Sequence, residues 1–326
     1  NLKEDDEKVG LNLPDNIIDI LTNYLNIPNN KKGTIETTYG QYDFIIPNLK
    51  PFDAINFMTN YARPNPSNPG ADMLFYEDKT GFNFRSLQTL MQQTPYYAYS
   101  YRPKNLDSTD LNHDVYNVLT YEILDSFDTL NGITSGTFAN QLISVNPLTR
   151  ERKVSNFDYG VYQSNAKNLN PYPIIDNSTN RKGDQLNQTP QAMLKLIFSN
   201  YDSKNNPLIT QVPGSLGHDI FAETYIPYRT AQLGLANYTR IRLSVPGDAN
   251  LTIGRIFTFN LLSRKPNSSD LDKYYSGNYL ITGVRHLINP TEYKTILEIT
   301  KESVPVAYPS NNNGIPLWSN AVKGIY

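Results

Sequence analysis

Residues Tyr274 to Ser303 read YYSGNYLITGVRHLINPTEYKTILEITKES, two runs of alternating side chains separated by Asn289-Pro290. Alternation with a period of two belongs to extended chain, where successive side chains point to opposite faces, and it conflicts with helical spacing. It places Tyr279, Ile281 and Gly283 on one face and Leu280, Thr282 and Val284 on the other; Tyr293, Thr295 and Leu297 repeat the pattern. Proline fixes φ and removes a ladder donor, so Asn289-Pro290 is a turn. Ser276-Gly277-Asn278 opens the first run, and Lys301-Glu302-Ser303 closes the second with groups that prefer water. The spacing predicts an antiparallel hairpin whose loop exceeds two residues. It carries no catalytic set and reads as scaffold.

Other segments extend the same reading. Gly254 to Leu262, Tyr238 to Val245, Leu119 to Ile123, Thr137 to Val145 and Met73 to Glu77 are predicted strands, with a turn at Thr80-Gly81, although Val115 to Phe127 also fits a helix. Helical spacing runs from Pro14 to Leu25 through Ile17, Ile20, Leu21 and Tyr24, and a second helix opens at Pro51 with Phe52, Ile55 and Met58 on one side. Further helices are predicted over Phe84 to Met91, over Pro190 to Tyr201 through Met193, Leu196 and Ile197, and around Tyr228 to Leu235. The 22 prolines and 18 glycines shorten the elements, and the 24 tyrosines suit half-buried sheet surfaces. The fold class expected is α+β and β-rich, large enough at 326 residues for two or three domains.

Charge and composition narrow the function. A formal net charge of −2 gives no basic patch for counterion release, so specific nucleic-acid binding is not expected. Cysteine is absent, which removes disulfides and thiolate metal sites and permits assembly in a reducing cytoplasm. No run reaches the roughly 18 apolar residues of a membrane span. Glu77-Asp78 is the most tempting acid pair, yet neighbours on a strand diverge, and the turn reading is preferred to a general acid. His113, His218 and His286 are isolated, without metal-ligand spacing; His286 beside Arg285 suits a structural contact, and His218 between Gly217 and Asp219 suits a cap. Gly214-Ser215-Leu216-Gly217 lacks the strand-to-helix elbow of a serine nucleophile. Tyr96, Tyr97, Tyr99 and Tyr101, next to Arg102, could stack on sugars or bases, but a sheet or interface surface is preferred. No catalytic, cofactor-binding or metal residue is assigned, and no cofactor is expected.

The hairpin, with Gly254 to Leu262 (GRIFTFNLL) and the spacer Asp270-Leu271-Asp272-Lys273 before it, resembles the last part of the tube-like barrel in central hub proteins of contractile phage tail baseplates. Val245-Pro246-Gly247-Asp248, Phe138 to Arg150 (FANQLISVNPLTR), Phe75-Tyr76-Glu77-Asp78 and Gly81-Phe82-Asn83-Phe84-Arg85-Ser86 match the same family in order. The resemblance spans roughly Leu13 to Ser303 and extends, more distantly, to the spike proteins of type VI secretion. A first tube-like barrel expected at the amino end of such hubs is missing, so the chain reads as a carboxyl-terminal fragment, an incompletely built chain or a variant.

The resemblance implies a tube-like antiparallel β-barrel interleaved with a smaller α/β module. Its divisions would be a linker at 1–12, the α/β module at 13–117, a discontinuous barrel at 118–160 and 236–304, an insert at 161–235 packing with the module, and a tail at 305–326. That tail offers Leu317, Trp318 and Tyr326 for docking on another chain. The resemblance further implies a non-enzymatic structural subunit, a homotrimer linking the sixfold tail tube to the threefold spike. Its partners would be the spike or tail lysozyme protein, the tail tube and other baseplate proteins, in a virion tail baseplate assembled in the host cytoplasm. A receptor- or carbohydrate-binding tail protein is the alternative.

Overall fold

The computed structural model describes residues 13–39, 46–64, 72–101, 115–126, 128–175, 184–190, 194–198, 222–263 and 270–307. In chain order the first elements are α1 (Leu13–Asp19), which runs on into a π turn, β1 (Lys32–Ile35), α2 (Pro51–Thr59), β2 (Met73–Asp78), β3 (Gly81–Ser86) and α3 (Leu87–Met91). They are followed by β4 (Ala98–Tyr101), β5 (Thr120–Asp125), α4 (Thr129–Thr134), β6 (Ala139–Val145), β7 (Arg152–Asp158) and α5 (Tyr159–Asn165). The last are β8 (Leu194–Phe198), α6 (Ala222–Ala236), β9 (Thr239–Pro246), β10 (Ile256–Leu261), β11 (Gly277–Ile288) and β12 (Tyr293–Lys301). The chain divides into two compact units. The first holds 1–87, 141–156 and 194–229, and the second 88–140, 157–193 and 230–326.

In the first unit β3 lies between β1, to which it is parallel, and β2, to which it is antiparallel. Pro51 sits in the first turn of α2, where its missing N–H costs nothing. The stripe Ala54, Ile55 and Met58 packs with Leu13, Ile17 and Leu21 of the first helix and with Met73 and Phe84 of the sheet. Phe84, assigned from the sequence to a helix, is a buried strand residue; only Leu87–Met91 of that segment is helical. The turn between β2 and β3 needs Gly81, because its φ is +139° and an added Cβ would lie 2.0 Å from the Lys31 carbonyl oxygen. A second sheet is ordered β7-β6-β8. Residues Leu194–Phe198, expected to be helical, form β8, parallel to β6 with Ile143 opposite Leu196.

Asp72 is buried in this unit, with Arg229 Nε 3.4 Å from one carboxylate oxygen. Burial pushes its carboxyl up to about 7, against the pull of the Arg229 charge.

The second unit is built on a six-stranded sheet ordered β4-β10-β11-β12-β9-β5. β4 is parallel to β10; every other neighbouring pair is antiparallel. The sheet is curled around one apolar cluster, in which Tyr99, Ile241, Leu243, Val245, Phe257, Phe259, Tyr279, Ile281, Leu297 and Ile299 are buried. The lead-in to β5 bonds to β4 at the opposite end of the strand order as well as to β9 beside it: Ser100 donates to the Tyr116 carbonyl at 3.0 Å, Val118 to the Ser100 carbonyl at 3.0 Å, and Leu119 to the Ser244 carbonyl at 2.8 Å.

The hairpin forms where the alternation placed it, and residues 289–292 make its loop, closed by the Asn289 N–H donating to the Glu292 carbonyl at 2.9 Å. One detail differs from the alternation. Ile281 faces Ile299 but Gly283 faces Glu298, so Thr282 is an extra residue, a β-bulge whose hydroxyl donates to the Glu298 carbonyl at 3.1 Å. The bulge shifts the phase, so that Val284, opposite Leu297, packs on the apolar cluster with Ile281 instead of facing away.

Phe259 is fully buried, with the rings of Tyr279 and Tyr121 at 6.2 and 6.3 Å. Urea unfolding of Phe259→Ala is expected to show a loss of about 3–5 kcal/mol, while Leu148→Ala, at a side chain 79% exposed, stays within about 0.5 kcal/mol of wild type. For Asp72, a folded value raised above the ordinary 3.8 means stability present at acid pH and lost as pH rises towards about 7. The melting-temperature difference between Asp72→Asn and wild type should therefore move in favour of the variant across that window and then level off.

Candidate assembly surface

Residues directly opposite in an antiparallel ladder share a face. On the outward face of β12, Glu298 lies opposite Gly283 and Arg242, and Arg242 lies opposite Glu122. One register step along, Arg240 faces Asp125. Glu298 bridges both arginines, at 2.8 Å from Arg242 and 3.8 Å from Arg240; Arg242 also reaches Glu122 at 3.2 Å, and Arg240 reaches Asp125 at 3.2 Å. The hydrogen bond with Glu298 holds the Arg242 guanidinium above its ordinary range, with Glu122 adding to it. Exposed pairs of this kind add little to folding. What they produce is a fixed pattern of charge across three strands.

The end of β12 is built differently. Lys301, Glu302 and Ser303, expected in water, are all buried. Lys301 Nζ donates to the carbonyls of Tyr274 and Ser276, the latter at 2.9 Å, and sits 4.7 Å from the centre of the Tyr279 ring. Glu302 Oε1 accepts from the Leu169 N–H at 2.7 Å and from the Ser303 hydroxyl at 2.9 Å. Burial raises the Glu302 carboxyl, and these hydrogen bonds work against the rise. Asn170 completes the seam: its N–H donates to Ser303 Oγ at 2.8 Å, its side-chain amide donates to the carbonyls of Asn278 and Ser303 at 3.1 and 3.2 Å, and its Oδ1 accepts from the Asn278 N–H at 2.9 Å. Tyr172 and Val304 exchange backbone hydrogen bonds beside it at 3.0 and 2.9 Å. The sequence reading missed this seam because its partners lie more than a hundred residues apart.

The residues singled out from the sequence do not converge. Glu77 is exposed on β2. Asp78 caps the following turn, accepting from Thr80 N–H at 2.8 Å, Thr80 Oγ1 at 2.5 Å and Gly81 N–H at 3.1 Å. Burial pushes the Asp78 carboxyl up, but hydrogen bonds from Thr80, Asn83 and Gly81 outweigh it and hold it below its ordinary value. His286 is exposed on β11, with Nδ1 3.1 Å from Tyr293 Oη and 3.3 Å from Thr295 Oγ1; Arg285 beside it is also exposed. His113, His218, Gly217, Asp219, Gly214 to Gly217, Arg102 and the tail residues Leu317, Trp318 and Tyr326 lie outside the described residues.

The tyrosine run divides, with Tyr96 and Tyr97 exposed and Tyr99 and Tyr101 turned into the sheet. Tyr99 is buried, Tyr101 packs against the Tyr121 ring at 4.7 Å, and Tyr97 stacks on Tyr116 at 3.5 Å. Tyr96 lies under the Arg255 guanidinium at 4.8 Å and donates to Asp248 at 3.2 Å. Among the described residues no group of three or more His, Asp or Glu side chains could hold a metal ion. None of their helices is long and apolar enough to cross a membrane.

No family model matches the chain. It is 24% identical over 281 residues to a probable baseplate hub protein of Vibrio phage KVP40, an alignment that takes in 82% of this chain and 61% of the relative, so the chain spans under two thirds of that relative's length. The resemblance to baseplate hub proteins read from the sequence is borne out by this relative. Among solved structures, the tail protein from Neisseria meningitidis MC58 is similar at a TM-score of 0.44 and 10% identity, covering 90% of this chain and 67% of that one. The 43 kDa tail protein of prophage MuSo2 from Shewanella oneidensis is similar at 0.45 and 8%, covering 91% and 67%.

Asn170 is the residue on which the buried seam turns. Asn170→Ala is expected to cost about 1–3 kcal/mol through the polar groups it leaves unpaired, and Asn170→Asp should cost more, since it aims a carboxylate at two carbonyls. Hydrogen exchange at Leu169 and Asn170 checks both, with protection falling in the order wild type, Ala, Asp.

Proposed function

We propose that this chain is a structural subunit of a phage baseplate central hub, forming a trimeric ring that joins the sixfold tail tube to the threefold spike. The observation that carries the reading is the alignment over 82% of the chain to a probable baseplate hub protein. The physical support is a wall rather than a cleft. A six-stranded sheet curls around its own core, and the segment that leads into β5, the last strand of the order, hydrogen-bonds to β4, the first, a contact in keeping with a tube-like barrel.

Symmetry supplies the rest of the reading. Three subunits with two barrels each would present six similar walls to a sixfold tube, and heterologous contacts at about sixty degrees per barrel close such a ring. In this reading the partners are the spike or tail lysozyme protein, the tube end and surrounding baseplate proteins. Assembly takes place in the host cytoplasm, a compartment that suits a chain without cysteine. The role is non-enzymatic: of the acid pair Glu77-Asp78, Asp78 is occupied in capping a turn and Glu77 lies exposed on β2. The carbohydrate-binding alternative is narrowed to the exposed Tyr96 and Tyr97, because Tyr99 and Tyr101 turn into the sheet's own cluster.

Native mass measurement and electron microscopy of the hub isolated from virions test the reading. A threefold particle is expected to contain three copies of the chain, and peptidoglycan zymography is expected to show no clearing. A lone monomeric copy in intact virions would overturn the trimer, and a zone of clearing lost in Glu77→Gln would overturn the structural role.

A further inference from the structure

We propose that Lys301 is a proton-linked latch: closing the 272–276 loop over its side chain expels a proton, so that opening of this loop is favoured as the pH falls. The inference is independent of the assembly the chain joins, since it concerns a contact within the second unit.

The geometry is a cage without an anion. Lys301 is 1% exposed, at the last position of β12. Its nitrogen is held by the Tyr274 and Ser276 carbonyls and the face of Tyr279, and no ion pair involves it among the described residues. Two carbonyls satisfy a neutral amine, which has two hydrogens to donate, and leave the third hydrogen of an ammonium to the ring face alone.

The acids nearby are committed elsewhere. Asp272, in the same loop, accepts at Oδ1 from the N–H groups of Tyr274 and Tyr275 at 2.9 and 2.8 Å. Glu302, next along the chain, accepts from Leu169 and Ser303 and faces Tyr159 of α5. Tyr279 from β11 is itself driven up by burial, so it stays neutral and offers only its ring face and its hydroxyl, which donates to the Tyr275 carbonyl at 2.6 Å. Burial therefore dominates and lowers the Lys301 amine from the ordinary 10.5 to about 7, against the weaker pull of Asp272 and Glu302.

The sign follows from linkage. When the loop opens, Lys301 meets water and regains its ordinary basicity, so the open state binds more protons than the closed state between pH 7 and 10.5. Closure is most favoured at the alkaline end of that window and weakens towards neutrality. Below it the amine is charged in both states and adds no further slope. The loop's own amides report the opening: Ser276 N–H donates to the Asp272 carbonyl at 3.2 Å, and Asp272 N–H to the Leu261 carbonyl at 2.7 Å.

Hydrogen exchange of the whole chain, corrected for intrinsic rates, tests the latch at residues 272–276. From pH 9.5 to 7.5 the opening constant is expected to rise by roughly tenfold per pH unit, one proton being taken up. Lys301→Met should remove the slope, and Lys301→Arg, which cannot lose its charge, should open more at every pH with no slope. Competitive acylation of the wild type gives a readout that needs no variant: Lys301 should label only through opening, more slowly than exposed lysines. A pH-independent opening constant, the same slope in Lys301→Met, or labelling of Lys301 at the rate of an exposed lysine would each overturn the proposal.

Discussion

Two rows of apolar side chains running across the strands hold the second unit together. Ile123, Ile241, Ile299 and Ile281 lie side by side on β5, β9, β12 and β11, and one step along come Tyr121, Leu243, Leu297 and Val284. Ile241, Ile299, Ile281, Leu243 and Leu297 are fully buried. Each such side chain contributes roughly 1.5–3 kcal/mol by leaving water, so the rows outweigh any single polar contact in the unit. They also fix register, because a slip of one residue would turn every member outward. The charged pattern of Glu298, Arg242 and Glu122 on the other side is a consequence of that register rather than its cause.

What the sequence made legible was local. Alternation located β9 to β12, a proline between polar neighbours located the hairpin loop, and Pro51 located the start of α2. The phase error at Val284 has a local origin but a non-local cause. Nothing in Leu280 to Val284 announces an extra residue, and only the pairing of Ile281 with Ile299 and of Val284 with Leu297 shows that Thr282 bulges. The segment around β8 failed for a known reason: Met193, Leu196 and Ile197 fit helical spacing, yet a short apolar run fits a buried strand equally well, and its parallel pairing with β6 decides the matter.

The largest misreading, Lys301-Glu302-Ser303, shows the limit of composition as a guide to burial. Charged residues at a strand end are ordinarily solvated. Here a loop from Leu169 to Tyr172 arrives from more than a hundred residues away and supplies the donors that make burial tolerable. Asn170 is the piece of the seam that sequence could have flagged, since an asparagine that satisfies both its carbonyl and its amide against backbone acts as a mimic of a strand. Its neighbours Asn168, Asn165 and Asn177 hid it in a stretch that reads as polar loop.

A scaffold has reason to place such a seam at the end of its sheet. Apolar contacts tolerate sliding and repacking, whereas the hydrogen bonds of buried Lys301, Glu302 Oε1 and Asn170 are directional and are lost when the loops shift. Burying them gains little stability over an apolar substitute. It does fix where the 168–172 and 272–276 loops lie against β12 and β11. Across the same strands, the rows of isoleucine and leucine supply cohesion, and the exposed arginine and glutamate pattern supplies a surface of defined charge. In the proposed ring all three would matter, since an error in loop position at each subunit would be repeated at every step around the axis.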